Sequence, residues 1–197
     1  MAQEPITYFE DASAWSDNTT ACIDLVKAYL EHDPVEHVVV ASSTGRTAAR
    51  FAEELDLART RLVGVKMAAA VDARYDVTPD VAACALLETA GVPLVGGVHA
   101  LTGGVDHALA TRFSGETPTQ LIAETLYLFS QGMKVAVEVA LMAHDHGLLP
   151  DGARAIACGG TSYGCDTVLL LRAAGSSALF DLRILKILAK PLECPAH

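Results

Sequence analysis

A hydroxyl-rich turn is the stretch of this sequence whose residue types are best suited to binding chemistry. It follows the apolar run of residues 38–40 and precedes a helical pattern of apolar residues at 48, 49, 51, 52 and 55. Hydroxyl groups, a guanidinium and the unpaired N–H groups of a helix N-terminus together favour a bound phosphate. The alternative is that a hydroxyl only caps the helix and the arginine faces solvent. The turn consists of Ser42, Ser43, Thr44, Gly45, Arg46 and Thr47.

Two further loops have a similar composition and also follow apolar runs. Residues 99–104 read His-Ala-Leu-Thr-Gly-Gly, and residues 159–164 read Gly-Gly-Thr-Ser-Tyr-Gly. Since ligands of open α/β sheets collect at the carboxyl ends of the strands, we expect the three loops to line one crevice. None of them is a Walker A loop or a Gly-x-Gly-x-x-Gly turn, so neither ATP hydrolysis nor standard dinucleotide binding is indicated. Beside the turn, the residues expected to line the crevice are Thr102, Gly103, Gly160, Thr161 and Gly164.

His99 is the acid–base candidate, because it stands at a predicted strand end beside Thr102. The alternative is a structural histidine whose hydrogen bonds are satisfied. Lys134 and Glu138 lie four residues apart within an apolar helical pattern. They form either an ordinary ion pair along the helix or a buried couple that lines the crevice.

No metal site is predicted. His144 and His146 stand two residues apart, and such residues diverge by about 200° around a helix. A polar helix end is therefore the favoured interpretation. The five cysteines are scattered, which is typical of reduced thiols and not of a disulfide framework.

Apolar runs alternate with amphipathic stretches along the chain, which predicts a mainly parallel sheet with helices on both faces. A single long helix is predicted from Pro118 to residue 145 or 146. Gly132 lies in its middle, where we expect close packing or a kink. Other helices are expected to start after Asn18 or Asp17 as the cap, at Gly45 or Arg46, and at Pro79. Strands are expected at residues 6–9, 38–40, 61–67, 93–99, 154–158 and 168–171. Residues 179–188 fit either a helix or a strand, with a strand favoured at 184–188.

The composition and charge of the chain indicate which classes of partner are disfavoured. The 197 residues are 51% hydrophobic, which fits one domain over 1–197 with an acidic strand and helix, residues 1–36, packed on it. The net charge of −10 argues against nucleic acid and anionic membranes as partners. The sequence begins with no basic and apolar signal-peptide pattern, and its apolar segments carry charges, so a cytoplasmic protein without a membrane partner is expected.

Several motifs resemble those of a known family. The turn resembles the phosphate loop of the pyruvate kinase C-terminal domain, which holds a sugar-phosphate effector. From Tyr8 to Pro191 the chain resembles the stand-alone pyruvate kinase C-terminal (α/β) domain-like proteins of archaea and bacteria. The motifs that carry the resemblance are Tyr8-Phe9, Asn18-Thr19, the 40–45 segment, the 99–103 segment, the long block at 131–138, and Asp166-Thr167.

The resemblance implies a three-layer α/β/α fold with a mixed sheet of about five or more strands, without the barrel that carries pyruvate kinase chemistry. It implies a phosphate on the 42–47 turn and makes flavin mononucleotide (FMN) a candidate ligand, with its ring against the other two loops. The sequence departs from the family pattern at residues 66–71, 162–163 and 173–177, where the family's histidines are missing. These departures bear on the ligand and its chemistry and leave the fold prediction unchanged.

Three functional hypotheses follow. The first is a protein that binds a phosphorylated small molecule, with FMN as the candidate. The second is a flavin-dependent or phosphate-ester-handling enzyme in which His99 is the acid–base residue. The third is a non-catalytic regulatory module, expected to be a homo-oligomer that assembles through its apolar helices.

Overall fold

The described part of the chain forms a sheet of seven strands. The computed structural model describes residues 5–69 and 77–193. The strands are β1 (Thr7–Phe9), β2 (His37–Ala41), β3 (Arg61–Lys66), β4 (Leu94–Gly96), β5 (Arg154–Gly159), β6 (Thr167–Arg172) and β7 (Arg183–Pro191). Their order is β1-β7-β6-β5-β2-β3-β4, and among them β6 alone runs antiparallel to its neighbours. The predicted α/β class with a mainly parallel mixed sheet is confirmed.

Helices cover both faces of this sheet. They are α1 (Trp15–His32), α2 (Arg46–Glu54), α3 (Val81–Thr89), α4 (Val105–Phe113), α5 (Pro118–Tyr127) and α6 (Gln131–Asp145), with a 3₁₀ helix at Ser176–Asp181. Helices α1, α2 and α3 pack on one face, and α5 and α6 pack on the other. Since successive strand residues point to opposite faces, Val38 and Val40 enter the first core and Val39 enters the second. None of the described helices is long and apolar enough to cross a membrane.

Helix α6 lies directly against the sheet because two glycines lack the side chains that would hold it away. A Cβ at Gly132, in the first turn of α6, would collide with the Thr167 hydroxyl and lie 2.5 Å from Asp166 Oδ1. A Cβ at Gly159, the last residue of β5, would collide with the carbonyl oxygen of Gly132. The close packing expected around Gly132 is therefore present.

The single long helix predicted from Pro118 is wrong. Helix α5 ends at Tyr127, and α6 begins after Ser130. The Ser130 hydroxyl accepts a hydrogen bond from the Met133 N–H at 2.9 Å and lies 3.1 Å from the Thr167 hydroxyl. A capping serine with a buried partner thus starts a new helix where periodicity alone continues the old one.

Two further predicted boundaries differ from the structure. Helix α3 begins at Val81 and not at Pro79, because the Asp80 carboxylate accepts a hydrogen bond from the Ala83 N–H at 3.0 Å and caps the helix. The strand predicted at 93–99 is limited to Leu94–Gly96, at the edge of the sheet.

The N-terminal segment lies at the opposite edge. Strand β1 pairs in parallel with β7, so that Thr7 lies opposite Ala189. Asn18 does not cap α1 as predicted, since the helix already begins at Trp15. Its side-chain amide instead donates a hydrogen bond to the Asp11 carbonyl at 2.8 Å.

Asp33 ties the end of α1 to the start of β5. Its carboxylate accepts hydrogen bonds from the Arg154 guanidinium at 2.5 and 3.1 Å and from the Tyr29 hydroxyl at 2.7 Å. These bonds, with that of Arg154 as the largest cause, lower the pKa of Asp33 to about 2. A carboxylate held this way stabilises the fold only while it is ionised.

We expect Asp33→Asn to lower the free energy of unfolding by about 1 kcal/mol at neutral pH. Because the folded pKa of Asp33 is depressed, this contribution is fully present above the unfolded value of 3.8 and is lost as pH falls through about 2. Urea denaturation between neutral pH and pH 2 measures it, with Asp24→Asn, an exposed aspartate of the same helix, as the control. A deficit for Asp33→Asn that stays constant down to the lowest pH would contradict the assignment.

Candidate functional site

The carboxyl ends of β2 and β5 lie side by side in the sheet. Val40 of β2 is paired with Cys158 of β5, so the segments that follow the two strands start from neighbouring positions. Helix α2 begins directly after β2, and the first turn of α6 packs against Gly159 at the end of β5. Two helix N-termini at one edge of the sheet make that edge electrostatically favourable for an anion.

The 42–47 turn has the backbone geometry of a strand-to-helix anion site. Gly45 occupies the N-cap position of α2 with φ of +89°, in the left-handed region. A Cβ at this position would also lie 3.2 Å from Cys84 Sγ of α3. Both the backbone conformation and the packing therefore require glycine here.

Ser42 maintains the turn. It is buried, and its N–H donates to the Val65 carbonyl at 2.7 Å. Its hydroxyl accepts a hydrogen bond from the Ala48 N–H at 3.0 Å, inside the first turn of α2. The hydroxyls of the turn that remain partly exposed are those of Ser43, Thr44 and Thr47.

The guanidinium of Arg46 already pairs with a carboxylate. Arg46 Nε lies 2.6 Å from Asp80 Oδ2, and the Asp80 N–H donates to the Thr44 carbonyl at 2.8 Å. Hydrogen bonds from the Ala83 N–H and then from Arg46 lower the pKa of Asp80. A phosphate on the turn must therefore share Arg46 with Asp80 or displace it. Asp80 is absent from the predicted site, although an aspartate before an apolar helical run is an N-cap signal.

The 159–164 loop is held by the buried carboxylate of Asp166. This group accepts hydrogen bonds from the Thr161 backbone N–H and from the Thr167 hydroxyl, both at 2.7 Å. Burial raises the pKa of Asp166. The Thr161 hydroxyl is itself buried and makes no hydrogen bond of normal geometry within the described residues, although the Thr161 side chain lies near enough to Asp166 to lower the pKa of that carboxyl. A buried hydroxyl without such a bond can still pair with an additional group.

The same loop also rests on helix α1. The rings of Tyr163 and Trp15 have centroids 4.7 Å apart, and both side chains are exposed. The Thr19 hydroxyl accepts a hydrogen bond from the Cys165 N–H at 2.9 Å. The predicted site residues Gly160 and Gly164 pack against each other at the neck of the loop. The loop is thus fixed between α1 and α6.

The 99–104 loop packs on α6, on the face of the sheet opposite to α2. A Cβ at Gly97 would lie 3.4 Å from His146 Cε1, at the end of α6. Further along, the N–H groups of Leu101 and Thr102 donate to Glu138 Oε1 at 2.8 and 3.1 Å. The described hydrogen bonds connect the turn to α3 and this loop to α6, and none of them joins the turn to Thr102 or Gly103.

Lys134 and Glu138 form an ion pair along α6 that is buried, which agrees with the burial expected in the second of the two sequence interpretations; that the pair lines a crevice stays a prediction. Their side chains are only 5% and 6% exposed. The Lys134 ammonium donates to the Glu138 carboxylate and, at 2.7 Å, to the Thr102 hydroxyl. His99 Nδ1 lies 3.9 Å from Glu138 Oε2. These four side chains form one polar cluster between α6 and the 99–104 loop.

The position of His99 in this cluster fits a structural role for its side chain. A histidine near a carboxylate has the partner that an acid–base residue uses. Here, however, the same carboxylate also receives Lys134 and two backbone N–H groups. Its chief effect is to anchor the loop, and catalysis by His99 stays a prediction.

Within the described residues, no group of three or more His, Cys, Asp or Glu side chains is arranged to hold a metal ion. His146 Nδ1 lies 2.8 Å from the Met142 carbonyl oxygen. Burial raises the pKa of the Cys158 thiol well above its usual value, as for a core side chain. Cys194 lies outside the described residues. The free thiols within them are Cys22, Cys84, Cys158 and Cys165.

Two clefts of the described surface lie away from the carboxyl edge. One, of about 330 Å³, is at the amino ends of β2 and β3 and is lined by His37 and Arg61 among others. Burial lowers the pKa of His37, and its Nε2 has no partner in the described part of the chain. The other cleft, of about 140 Å³, lies between α1 and α2. Neither cleft is lined by residues of the 42–47 turn, the 99–104 loop or the 159–164 loop.

No family model matches the chain. The resemblance to the pyruvate kinase C-terminal domain-like proteins is therefore carried by sequence motifs alone.

Removing one member of the buried couple should destabilise the fold strongly. We expect Lys134→Met to lower the free energy of unfolding by about 3–5 kcal/mol, because Glu138 is left as an uncompensated buried charge. The double variant Lys134→Met/Glu138→Gln should recover part of this loss, since the glutamine carbonyl still accepts the two backbone hydrogen bonds. Urea denaturation measures both effects.

Lys27→Met is the matched control, since its pair with Glu54 is exposed and exposed ion pairs contribute little to stability. A loss for Lys134→Met no greater than that of the control would show that the couple is not a structural anchor.

Proposed function

We propose that this protein binds a phosphorylated small molecule at the carboxyl edge of the sheet, with the phosphate at the N-terminus of α2. One juxtaposition carries the proposal. The left-handed turn at Gly45 and the unpartnered hydroxyl of Thr161 follow the adjacent strands β2 and β5. A helix N-terminus supplies N–H donors and a favourable dipole, and an unused buried hydroxyl supplies a further hydrogen-bonding group.

In this proposal the anion is held by groups that lie next to it, and the net charge of the protein does not attract it. With a net charge of −10, the protein as a whole repels phosphates. Several N–H groups at the start of α2 already have partners, among them those of Arg46 and Ala48. The groups that favour binding are the dipole of α2, the Thr47 N–H, the hydroxyls of Thr44 and Thr47, and the outer nitrogens of Arg46. Asp80 opposes binding, because its carboxylate already pairs with Arg46 at 2.6 Å. The affinity depends on how this one aspartate is accommodated.

FMN is the ligand that we propose to test first. With the phosphate on the turn, the 159–164 loop is the adjacent surface, and its exposed Tyr163 ring packs against the exposed ring of Trp15 from α1. Aromatic side chains of this kind favour stacking with a flavin ring. Membership of the pyruvate kinase C-terminal domain-like family, which we infer from the sequence motifs, is consistent with a phosphate on this turn.

Catalysis and regulation are separate proposals. A flavin-dependent or phosphate-ester reaction with His99 as acid–base residue needs a substrate at the 99–104 loop, on the other side of α6. A regulatory role needs only ligand binding and assembly. A homo-oligomer in the cytoplasm remains the expected setting for either role.

Flavin binding is tested by the absorbance spectrum of the protein purified without added ligand, and again after incubation with FMN. Flavin bands that stay with the protein through gel filtration support FMN as the ligand. The absence of flavin bands from both samples excludes FMN as the ligand. The turn is then tested with inorganic phosphate by calorimetry.

Variants of the turn test the position of the phosphate. We expect Thr44→Ala/Arg46→Ala to weaken binding at least about tenfold, since charge-assisted hydrogen bonds are lost. Asp80→Asn should tighten binding, because asparagine still caps α3 but no longer competes for Arg46. Titration with FMN, or with inorganic phosphate if FMN does not bind, measures both dissociation constants.

The control is Arg59→Ala, which removes an exposed guanidinium beyond the end of α2. Its affinity should equal that of the wild type. Unchanged affinity in the Thr44→Ala/Arg46→Ala variant would exclude the turn as the phosphate site.

Thr161→Val separates a ligand role from a structural one. The Thr161 hydroxyl is buried and makes no hydrogen bond of normal geometry within the described residues, so replacing it by a methyl group of similar shape should change stability little. The same change should weaken ligand binding several-fold. Urea denaturation and ligand titration give the two values. A destabilised variant with normal affinity would assign the hydroxyl to the fold.

A further inference from the structure

The cleft at the amino ends of β2 and β3 lies at the end of the sheet opposite to the proposed phosphate site. Its volume of about 330 Å³ is within the range of small-molecule sites. His37 and Arg61, which line it, are paired at the first positions of β2 and β3. Its apolar wall includes the half-buried residues Leu57, Pro93 and Leu148. An apolar wall with few polar groups is the usual composition of a ligand site. We call it the amino-edge cleft.

His37 brings to this cleft a polar atom that the fold leaves unused. The residue is 5% exposed, and its Nε2 has no hydrogen-bond partner within residues 5–69 and 77–193. Since successive strand residues point to opposite faces, His37 shares the face of Val39, on which α6 packs. Buried polar groups are normally paired. Because Nε2 is closed to bulk water, its partner has to be a group that enters between the walls of the cleft.

The charges around His37 favour a cation as this partner. The imidazole is neutral at neutral pH, because burial lowers its pKa. A neutral imidazole has one nitrogen that accepts a hydrogen bond. Two charged groups act on it, Glu36 and Arg61, whose Oε1 and Nε atoms lie 2.7 Å apart. Glu36 has the larger effect of the two on the pKa of His37, so the field of the pair at the imidazole favours positive charge.

Three helices also end at the amino-edge cleft. Gly91 and Gly147, which both line it, directly follow the C-cap residues of α3 and α6. Leu57 stands shortly after the end of α2. The carboxyl end of a helix carries a partial negative charge, which attracts cations and repels anions. The net charge of −10 acts in the same direction.

We propose that the amino-edge cleft binds a small primary amine. Its ammonium group donates a hydrogen bond to the imidazole of His37, and its apolar part packs on Leu57, Pro93 and Leu148. The two ends of the sheet then take ligands of opposite charge, since helices begin at one end and finish at the other. The cleft shares no lining residue with the 42–47 turn, so this proposal stands or fails independently of the phosphate site.

Three probes with the same ring and different charges test the class of ligand: benzylamine, benzyl alcohol and benzoate. We expect benzylamine to bind in the millimolar range. Benzyl alcohol should bind at least about tenfold more weakly, because its hydrogen bond to His37 is not charge-assisted, and benzoate should not bind. Titrations followed by the nitrogen NMR signals of isotopically labelled histidine give the dissociation constants. The Nε2 signal of His37 should shift with benzylamine.

Variants of the exposed ion pair should change the affinity for benzylamine in opposite directions. Glu36→Gln should weaken binding several-fold, whereas Arg61→Gln should tighten it, because each removes one of the two charges that act on His37. His37→Phe should weaken binding at least about tenfold and leave stability little changed, since it replaces an unpaired buried polar ring by an apolar one. The control is His32→Phe, the same exchange at an exposed histidine of α1, which should bind like the wild type.

A His37 signal that does not move at millimolar benzylamine would mean that the cleft holds ordered water only, and would overturn the proposal. Binding of benzyl alcohol or benzoate as tight as that of benzylamine would overturn it as well. So would equal affinities of Glu36→Gln and Arg61→Gln for benzylamine. Because these two substitutions are at exposed side chains, the test does not depend on whether His37→Phe folds.

Discussion

The buried carboxylate of Glu138 is the constraint on which much of this structure depends. An unpaired charge inside the protein is strongly destabilising, so this carboxylate must accept hydrogen bonds from donors around it. It takes Lys134 from its own helix and two backbone N–H groups from residues 101 and 102. These hydrogen bonds hold the segment that follows β4 against α6. They thereby determine the position of the 99–104 loop and the start of α4.

Helix α6 connects this cluster to the candidate site. Its N-terminus is drawn against β5 and β6 by the absence of side chains at Gly132 and Gly159. There it contacts Asp166, the residue that holds the 159–164 loop. One helix therefore positions a polar anchor at its middle and a potential anion-binding edge at its start. Because α6 packs closely on the sheet, substitutions that change the volume of its buried side chains should destabilise the fold.

At the carboxyl edge of the sheet, some groups favour a bound anion, and one carboxylate competes with the anion for its nearest cation. The α2 terminus and the unused Thr161 hydroxyl favour a phosphate, while Asp80 neutralises the nearest guanidinium. The same aspartate caps α3 and fastens it to the turn. In the proposed phosphate site, this one carboxylate couples ligand affinity to the packing of α2 on α3. The anchored 99–104 loop, in turn, leads into α4, none of whose residues is buried.

The sequence by itself determined the α/β class, the approximate positions of the strands and the hydroxyl-rich turn before α2, because these depend on local periodicity and composition. Only the tertiary structure decided which polar groups are buried and paired. Ser130 divides the predicted long helix through a bond to Thr167, 37 residues away. Asp80 meets Arg46 across 34 residues, and the exposure of α4 depends on what the rest of the chain fails to cover. Such contacts join segments that are distant in the chain, and no local pattern records them.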